Sequence, residues 1–512
     1  MRKSFRRHLG QHALSFVIMA VACVLIQGRL LLQPSVGIDT EVMLYNKELQ
    51  YIAWQSIGRQ GLVLLSRLFQ PGSFSLMRAG VLTLVFLVLA VILWTYVFSE
   101  EGEDASRLQV LVSSLVLVCS PLLTEQFYFR LQAAEVALTM SLVALSLLCL
   151  RAFRDENNVV ALCVSVLLLA FSVSVYQSFV ALFLTGAAIQ YVQLVFAGAD
   201  KQRRKRALLS SCAVFVAGYL LCFAATRLLS PDGMYAAGEI FWQSRSFAEN
   251  LTDILRSYAY VYGARNMDFT PAIPLTAVPV ILFAVRFLRR EKSAKRPLLA
   301  GLAALLLIAP FAVHLFVGGS LPARARFPVS FLYAFLAFLA TRLMEVFFHA
   351  EKKDGGMGRM LCAYLTALVL FGGIVHSGYV SFYLGRTDLT RYRGDVDFAQ
   401  TLWQETAVLR SELQDPAAVT YAFYGAHAAE TEAVSEVIGK SIFGWDAEEE
   451  SGWRSAPRIR YLFAYLGMPY AAPDAAQIKE NAPDASAMPV FPEAGSIIRR
   501  ENLIFVKLSE KK

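Results

Sequence analysis

The sequence predicts an all-α polytopic membrane protein, with about eleven transmembrane helices and a small α/β domain at its carboxyl end. Of the 512 residues, 56% are hydrophobic and 17% are charged, and the mean hydropathy is +0.49. A water-soluble protein needs more charge than this to cover its surface. Apolar runs of about 20 residues, which is the length that crosses a bilayer, recur along most of the chain.

Separate apolar runs define the predicted helices. They lie at residues 13–32, 77–98, 108–124, 133–152, 159–175, 179–198, 207–229, 271–288, 297–318, 329–348 and 360–382. Basic residues near span ends are retained in the cytoplasm. With these eleven spans, all the basic clusters lie on one side of the membrane; they are at residues 2–7, 201–206, 286–296 and 352–359. The amino terminus is therefore predicted in the cytoplasm and the carboxyl terminus outside it.

Composition and spacing exclude several classes of function. The net charge of +8 comes from basic residues dispersed over loops, which indicates topology and implies no nucleic-acid partner. The seven cysteines all lie in apolar runs and the six histidines are scattered, so neither set predicts a disulfide framework or a metal centre. The phosphate-binding lysine loop, the dinucleotide fingerprint and the nucleophile elbow of hydrolases have no match in the sequence.

The composition changes to that of a water-soluble domain near residue 385. We therefore predict a transmembrane catalytic domain at 1–384 and an extracytoplasmic α/β domain at 385–512. Apolar residues from Ala399 to Leu413 follow one face of a helix, and residues 419–424 read as a strand. Residues 496–498 and 503–508 flank a polar turn and predict a hairpin.

Two carboxylates, Asp39 and Glu41, come directly after the first apolar run, on the predicted outer side. Packing gives no reason for acidic residues there, so they are the leading candidates for chemistry. The rest of this loop, to about residue 76, has apolar residues at helical spacing. It predicts two short surface helices with a break at 58–61, which could also be a purely structural surface feature.

A further acidic residue, Glu135, begins an apolar helix. A carboxylate entering hydrocarbon is costly unless it faces a polar cavity or a partner, although a helix amino terminus also favours negative charge. Glu125, ten residues earlier, is expected to face water. Residues 247–261 predict an amphipathic interface helix whose apolar stripe is Phe247, Leu251, Ile254, Tyr258 and Val261.

Arg324 and Arg326 lie at the predicted outer boundary of the membrane. Guanidinium groups at this height can bind a phosphate diester through two hydrogen bonds, or can act simply as anchors at the interface. Nucleotide sugars are absent outside the cytoplasm, so external chemistry must draw on a lipid-linked phosphate or an ion gradient. A carboxylate base with nearby arginines suits the lipid-linked phosphate, because it can deprotonate a hydroxyl while cations stabilise the leaving phosphate.

The motifs Asp39-Thr40-Glu41 and Trp54-Gln55-Ser56-Ile57-Gly58-Arg59 resemble the first external loop of the Gtr-type glucosyltransferases. These are polytopic bacterial enzymes of the GT-C superfamily that modify O-antigen. The similarity continues in Pro121 onward with Tyr128 and Arg130, in Tyr176-Gln177-Ser178, and in residues 488–496 and 506–508. Each motif is short, and their order and placement over nearly the whole chain make the resemblance.

The resemblance implies transfer of a hexose, expected to be glucose, from a polyprenyl-phosphate donor in the bilayer. The acceptor would be a lipid-linked or surface glycan such as O-antigen, on the outer side of the bacterial inner membrane. It implies a catalytic role for Asp39, as base or essential partner, with Glu41 beside it and Glu135 as a further acidic residue. The residues expected to contact the donor phosphate are Arg59, Arg324 and Arg326. The residues expected to bind substrate are Trp54, Tyr128, Arg130, Tyr176 and Gln177.

The sequence departs from that family in two places. Thr40 separates two acidic residues that are commonly adjacent, and Gln132 stands where an acidic residue is expected, which leaves Glu135 as the nearer substitute. The Asp-x-Glu spacing also resembles the metal-binding pairs of some relatives. Two carboxylates do not establish a cation site, so we assign no metal ligand and no cofactor and leave a divalent cation open.

Three other functions use the same features. A lipid-linked glycan transporter or flippase would use the arginines and carboxylates as a passage, and it would show inverted repeats or charges in mid-span. Neither is clear in the sequence. An O-antigen polymerase would differ only in its substrate. A purely structural membrane protein would not need the outward clustering of Asp39, Glu41, Arg59 and Arg324.

Overall fold

The computed structural model describes residues 2–99, 105–229, 240–262, 296–349, 357–413, 415, 418–429, 431, 435, 437–446 and 452–510. This part of the chain is mostly helical. The amino-terminal helices are α1 (Arg2–Gln11), α2 (Ala13–Leu31), α3 (Thr40–Tyr45), α4 (Lys47–Ser56), α5 (Gln60–Phe69), α6 (Leu76–Phe98), α7 (Arg107–Val118), α8 (Pro121–Phe127), α9 (Ala133–Glu156), α10 (Val159–Val175), α11 (Phe179–Phe196) and α12 (Lys201–Leu229).

The later elements include the helices that lead into the carboxyl-terminal region. They are α13 (Phe247–Tyr262), α14 (Arg296–Ile308), α15 (Ala312–Val317), α16 (Pro328–His349), α17 (Met357–Glu405), α18 (Ala407–Ser411), β1 (Thr420–Tyr424), α19 (Ile442–Trp445), α20 (Pro457–Tyr465), α21 (Ala475–Asn481), β2 (Ile497–Arg500) and β3 (Leu503–Lys507). A 3-10 turn, Ala323–Arg326, precedes α16.

Within the described ranges, seven helical segments are long and apolar enough to cross a membrane, or eight if α7 and α8, bent by 45°, form one span. The seven are Ala13–Leu31, Leu76–Phe98, Ala133–Glu156, Phe179–Phe196, Lys201–Leu229, Ala323–Val346 and Met360–Glu405. The apolar helices Val159–Val175 and Gly301–Val317 are shorter. The multi-pass helical architecture is confirmed. The predicted run 271–288 lies outside the described residues, and the count of eleven and the orientation stay predictions.

Helix α2 packs on one side against α6, α7 and α17, while α9 packs between α6 and α10. Met19 and Cys23 of α2 are fully buried, whereas Leu14 and Leu25 are 67% and 66% exposed. A helix with large apolar residues on its outer face is stable only where lipid covers that face. The pattern on α2 is therefore that of a helix at the lipid boundary of a bundle.

The loop after α2 forms three short helices rather than the two predicted. Asn46 provides the extra break, because its side chain accepts a hydrogen bond from the amide of Glu48 at 3.1 Å and caps α4. The predicted break at 58–61 is present between α4 and α5. Gly58 has a φ of 79° there, a left-handed conformation that glycine adopts without a steric penalty.

The carboxyl-terminal region has its own core. Ala399, Leu402, Tyr421, Phe463 and Val506 are buried in one cluster, which also takes in Val36 from the loop after α2. The sheet has the order β1-β3-β2, with β1 parallel and β2 antiparallel to β3. The predicted strand and hairpin are therefore confirmed. Helix α17 is 49 residues long and runs without a break through residue 385, so the predicted boundary falls inside a helix.

One expectation about exposure is wrong, and a second is untested. Glu125 is fully buried, because α8 is covered by α17 and the turn Ala323–Arg326. On α13, Ile254 and Val261 are buried as predicted, but Phe247 is 70% exposed and Asn250 is fully buried. The amide of Asn250 donates to the carbonyl of Phe241 at 3.2 Å. The contact of the apolar stripe with the membrane interface stays a prediction.

Candidate active site

Asp39 and Glu41 lie at the start of α3, where the loop from α2 turns back. Asp39 is the residue before the helix and has a φ of 68°, which is uncommon for a residue other than glycine. A Cβ atom on Gly37 would lie 2.7 Å from the ring of Tyr128, so only glycine lets the loop pack this closely. The side chain of Asp39 is 35% exposed, whereas Glu41 is fully buried.

Arg458 connects these two carboxylates to the carboxyl-terminal region. Its Nη1 lies 3.0 Å from Oδ1 of Asp39 and 2.6 Å from Oε1 of Glu41. Its Nε lies 3.8 Å from Oδ1 of Asp446. Helix α20, which begins one residue before Arg458, packs on α3, and the rings of Tyr45 and Tyr461 stack with centroids 4.6 Å apart. The site is thus built from both ends of the chain.

The charges in this cluster follow from burial and pairing. Burial raises the pKa of Glu41 from 4.5 to about 7, the Arg458 charge opposes this rise, and the Asp39 charge adds to it. Burial disfavours the charged form of Arg458, but Asp39 and Glu41 outweigh that effect and the pKa of Arg458 is raised. Arg458 therefore stays cationic beside Asp39 at all physiological pH values.

A second ionic cluster lies in α17. Nη2 of Arg391 lies 2.5 Å from Oδ1 of Asp388, and Nη1 lies 2.9 Å from Oδ2 of Asp395. Nη1 of Arg391 also donates to the carbonyl of Val36 at 2.9 Å, and Nη2 donates to Oγ of Ser35 at 3.2 Å. This fully buried arginine holds the backbone that leads to Asp39.

Arg130 and Tyr128, both predicted to bind substrate, are buried under the same loop. The guanidinium of Arg130 donates to the carbonyls of Gln33 at 2.5 Å, Ser35 at 3.1 Å, Leu31 at 2.9 Å and Leu76 at 3.0 Å. Arg130 is only 3% exposed and Tyr128 only 2%. Their contacts support the loop from beneath.

Arg59, Tyr176 and Gln177 meet between the loop and the turn from α10 to α11. Nε of Arg59 donates to Oε1 of Gln177 at 3.4 Å, and its guanidinium lies 4.8 Å from the ring centroid of Tyr176. Nε2 of Gln177 donates to the carbonyl of Ile57 at 3.1 Å. Three of the predicted residues are thus brought together. Trp54 is 3% exposed and packs in the core of the loop.

The remaining predicted residues fall in three other places. Arg324 is half-buried, with its guanidinium 4.2 Å from the ring centroid of Phe129. Arg326 is 4% exposed and donates to Oγ of Ser320 at 3.1 Å and to the carbonyl of Leu321 at 2.7 Å. Glu135 is 2% exposed and hydrogen-bonds to Ser66. This hydrogen bond connects Glu135 to α5, the last short helix of the loop.

Arg458 and Arg391, with their partners, are not among the residues predicted from the sequence. The spacing of Asp388, Arg391 and Asp395 places all three on one helical face and could have indicated the cluster in α17. No local signal marks Arg458, because its partner Glu41 lies 417 positions away. Among the described residues, no group of three or more His, Cys, Asp and Glu side chains could hold a metal ion.

Comparison with solved structures finds the oligosaccharyltransferase of Archaeoglobus fulgidus. Its apo crystal structure matches with a TM-score of 0.41 and 13% identity, covering 72% of this chain and 56% of that chain. Its complex with an inhibitory peptide and a dolichol-phosphate matches with a TM-score of 0.42 and 14% identity, covering 79% of this chain and 58% of that chain. The chain thus matches less than two thirds of the length of these proteins.

Among curated proteins, no match is found. The family model described as glucosyl transferase GtrII matches residues 28–341. This range is more than half of the chain and contains Asp39, Glu41 and all the other predicted site residues. The protein belongs to the GtrII glucosyl transferase family, a family of glycosyltransferases, and is a multi-pass membrane protein.

Proposed function

We propose that the protein transfers a hexose, with glucose as the expected sugar, from a polyprenyl-phosphate donor to a lipid-linked or surface glycan such as O-antigen. The reaction takes place on the outer side of the bacterial inner membrane. Family membership supports glycosyl transfer. The observation that carries the proposal is the partly exposed carboxylate of Asp39, held by Arg458 at the start of α3.

Asp39 is the catalytic base in this proposal. Its 35% exposure lets an acceptor hydroxyl approach, whereas the fully buried Glu41 cannot be reached. As the acceptor oxygen bonds to the anomeric carbon, its proton passes to Asp39. The bond between that carbon and the phosphate oxygen breaks at the same time, and the phosphate leaves with the electron pair. Glu41 acts through Arg458, which it shares with Asp39.

The donor phosphate is assigned to the arginines around the site. Arg59 and Arg324 are the stronger candidates, because both are half-buried rather than buried and both stack on aromatic rings that fix the guanidinium plane. A fixed guanidinium can bind two phosphate oxygens at once. Arg326, already bonded to Ser320 and Leu321, supports the same turn. Tyr176 and Gln177 position Arg59.

The buried residues predicted to bind substrate have a supporting role in this proposal. Trp54, Tyr128 and Arg130 are each at most 3% exposed, so they shape the loop that presents Asp39. Glu135 belongs to the same layer through its hydrogen bond to Ser66. The outward orientation rests on the basic clusters at residues 2–7 and 201–206, which the positive-inside rule places in the cytoplasm.

The experiment is a transfer assay with purified protein, a radiolabelled polyprenyl-phosphate hexose and membrane glycan. The wild type should move label to the glycan, and Asp39→Asn should lower the rate by about 10²–10⁴-fold, the usual contribution of a general base. Asp253→Asn is the matched control, because Asp253 also pairs with arginines, at 3.0 Å from Arg245 and 3.4 Å from Arg256. A fully active Asp39→Asn protein would remove Asp39 from the mechanism. Failure of the wild type with this donor would reject the donor class.

A further inference from the structure

The two ionic clusters are joined by a continuous set of contacts. We propose that Asp395 and Ser441 are positioning residues, which couple the loop before Asp39 to the segment that carries Arg458, so that the carboxyl-terminal region sets the position of the base. This inference rests on the proposed function, because it assigns these residues to the same reaction.

The first part of the connection runs from Asp39 back to α17. The carbonyl of Val36, three residues before Asp39, accepts a hydrogen bond from Arg391, and Oγ of Ser35 donates to Oδ2 of Asp388 at 2.5 Å. Charged hydrogen bonds between buried groups are strong and directional. The left-handed backbone of Asp39, with a φ of 68°, persists only where the surroundings hold it. The α17 cluster supplies that restraint on one side.

The second part runs from α17 into the carboxyl-terminal region. Oδ1 of Asp395 accepts from Oγ of Ser441 at 2.5 Å, and Oδ2 accepts from the amide of Ile442 at 3.1 Å. The same Oδ2 pairs with Arg391. Asp395 is 1% exposed and Ser441 is 2% exposed, so water does not compete for these contacts. Asp395 thus fixes the start of α19 to the arginine that holds the loop.

The third part returns to the base. Helix α19 is followed directly by Asp446, whose Oδ2 accepts from the amide of Arg458 at 3.1 Å. The side chain of Arg458 then contacts Asp39 at 3.0 Å, which closes the ring. Asp39 is therefore held from the side of Arg391 and from the side of Arg458, and Asp395 with Ser441 is the link between them.

Removal of the Ser441 hydroxyl tests this link with the smallest change. Ser441→Ala deletes the contact to Asp395 and the cap on the amide of Phe443, but it leaves the pair of Asp395 with Arg391 intact. Ser165→Ala is the matched control, because the hydroxyl of buried Ser165 donates to the carbonyl of Ser146 at 2.9 Å, between α9 and α10. Both changes remove a buried hydrogen bond, and only the first belongs to the ring.

Two measurements on full-length protein in detergent separate the outcomes. Hydrogen exchange, which needs no substrate, should become faster in residues 40–46 and 457–465 of Ser441→Ala and stay unchanged there in Ser165→Ala. In the transfer assay, Ser441→Ala should lower kcat by about tenfold with little change in KM, because a displaced catalytic group slows the chemical step more than binding.

Unchanged exchange in residues 40–46 of Ser441→Ala would overturn the inference, whatever the activity. Equal exchange effects in Ser165→Ala would also overturn it, because the response would then be general. Faster exchange with a normal kcat would reject the positioning role. If the wild type transfers no label but exchange rises only in Ser441→Ala, the proposed function fails while the coupling is supported.

Discussion

Each of the two clusters pairs one arginine with carboxylates, but the clusters differ in their access to water. Arg391 and its partners Asp388 and Asp395 are 0%, 2% and 1% exposed. Arg458 is 28% exposed and its partner Asp39 is 35% exposed. A fully buried arginine paired with two buried carboxylates holds structure, because no substrate can reach any of the three groups. The same arrangement at a surface keeps one carboxylate available, and this difference separates a structural cluster from a reactive one.

The largest effect of a single substitution is expected at Arg391. Arg391→Met should destabilise the protein by about 3–5 kcal/mol, because it leaves two buried carboxylates without a countercharge. The thermal unfolding midpoint in detergent measures this loss. Arg499→Met is the matched control, since Arg499 pairs with Glu412 at 2.9 Å with side chains 27% and 52% exposed, and such a pair contributes about 0–1 kcal/mol. Equal losses in the two variants would show that burial does not distinguish the clusters.

At Arg458 the expected loss is in catalysis. Arg458→Met should lower the unfolding midpoint less than Arg391→Met does, because Arg458 and Asp39 are 28% and 35% exposed. It should lower the transfer rate by about 10–100-fold, because Asp39 loses the group that orients it. Arg460→Met is the control on the same helix. Arg460 lies 5.7 Å from the ring centroid of Tyr45, and within the described residues it forms no ion pair with Asp39 or Glu41. A normal rate for Arg458→Met would contradict the role of this cluster.

A smaller effect is expected where arginines are assigned to the donor phosphate. Replacing Arg59, Arg324 or Arg326 with lysine should raise the KM for the donor by up to about tenfold, with less effect on stability, because lysine lacks the planar fork. Arg245→Lys serves as the control, as Arg245 also stacks on a ring, at 4.3 Å from the centroid of Phe241. If the donor KM is unchanged in all three variants, the phosphate assignment is wrong.

The last prediction concerns the proton on Glu41. The pKa of Glu41 is raised from 4.5 to about 7 in the fold, so between these values the folded state keeps a proton that the unfolded chain has released. Stability from this group is therefore present at low pH and is lost as the pH rises toward about 7. Relative to Glu41→Gln, the wild type should lose about 2 kcal/mol between pH 5 and 7.5.

Unfolding midpoints across this pH range check the direction. Glu48→Gln is the control, because Glu48 pairs with Arg67 at 3.4 Å with both side chains 56% exposed. Its difference from the wild type should be small, because an exposed ion pair contributes about 0–1 kcal/mol. A wild-type protein that gains stability relative to Glu41→Gln as the pH rises would show that Arg458 outweighs burial in setting the pKa of Glu41.

Structural features that depend on a local sequence pattern could be predicted. The length and spacing of apolar residues indicate whether a segment lies in lipid or in a protein core. The multi-pass helices, the strand at 420–424 and the hairpin that follows could therefore be predicted. The loop with Asp39 and Glu41 was also found, because acidic residues beside a span need an explanation. The roles assigned to these residues remain predictions.

Long-range pairing could not be predicted in the same way. The contact between Arg458 and Glu41 joins residues 417 positions apart, and no local periodicity encodes it. Glu125 is charged, and its charge predicts exposure to water, but the packing of α17 and the turn Ala323–Arg326 on α8 buries it. In each case an interaction with a distant or separate segment decided the outcome.

The unbroken length of α17 has a consequence for how the protein can be divided. At 1.5 Å per residue, its 49 residues extend about 74 Å as one rod from the bilayer into the carboxyl-terminal core. A fragment starting at residue 385 would begin in mid-helix and lack Val36, which belongs to its core. The carboxyl-terminal region is therefore not joined to the membrane domain by a flexible linker. Cutting the chain at residue 385 would expose apolar surface on both fragments.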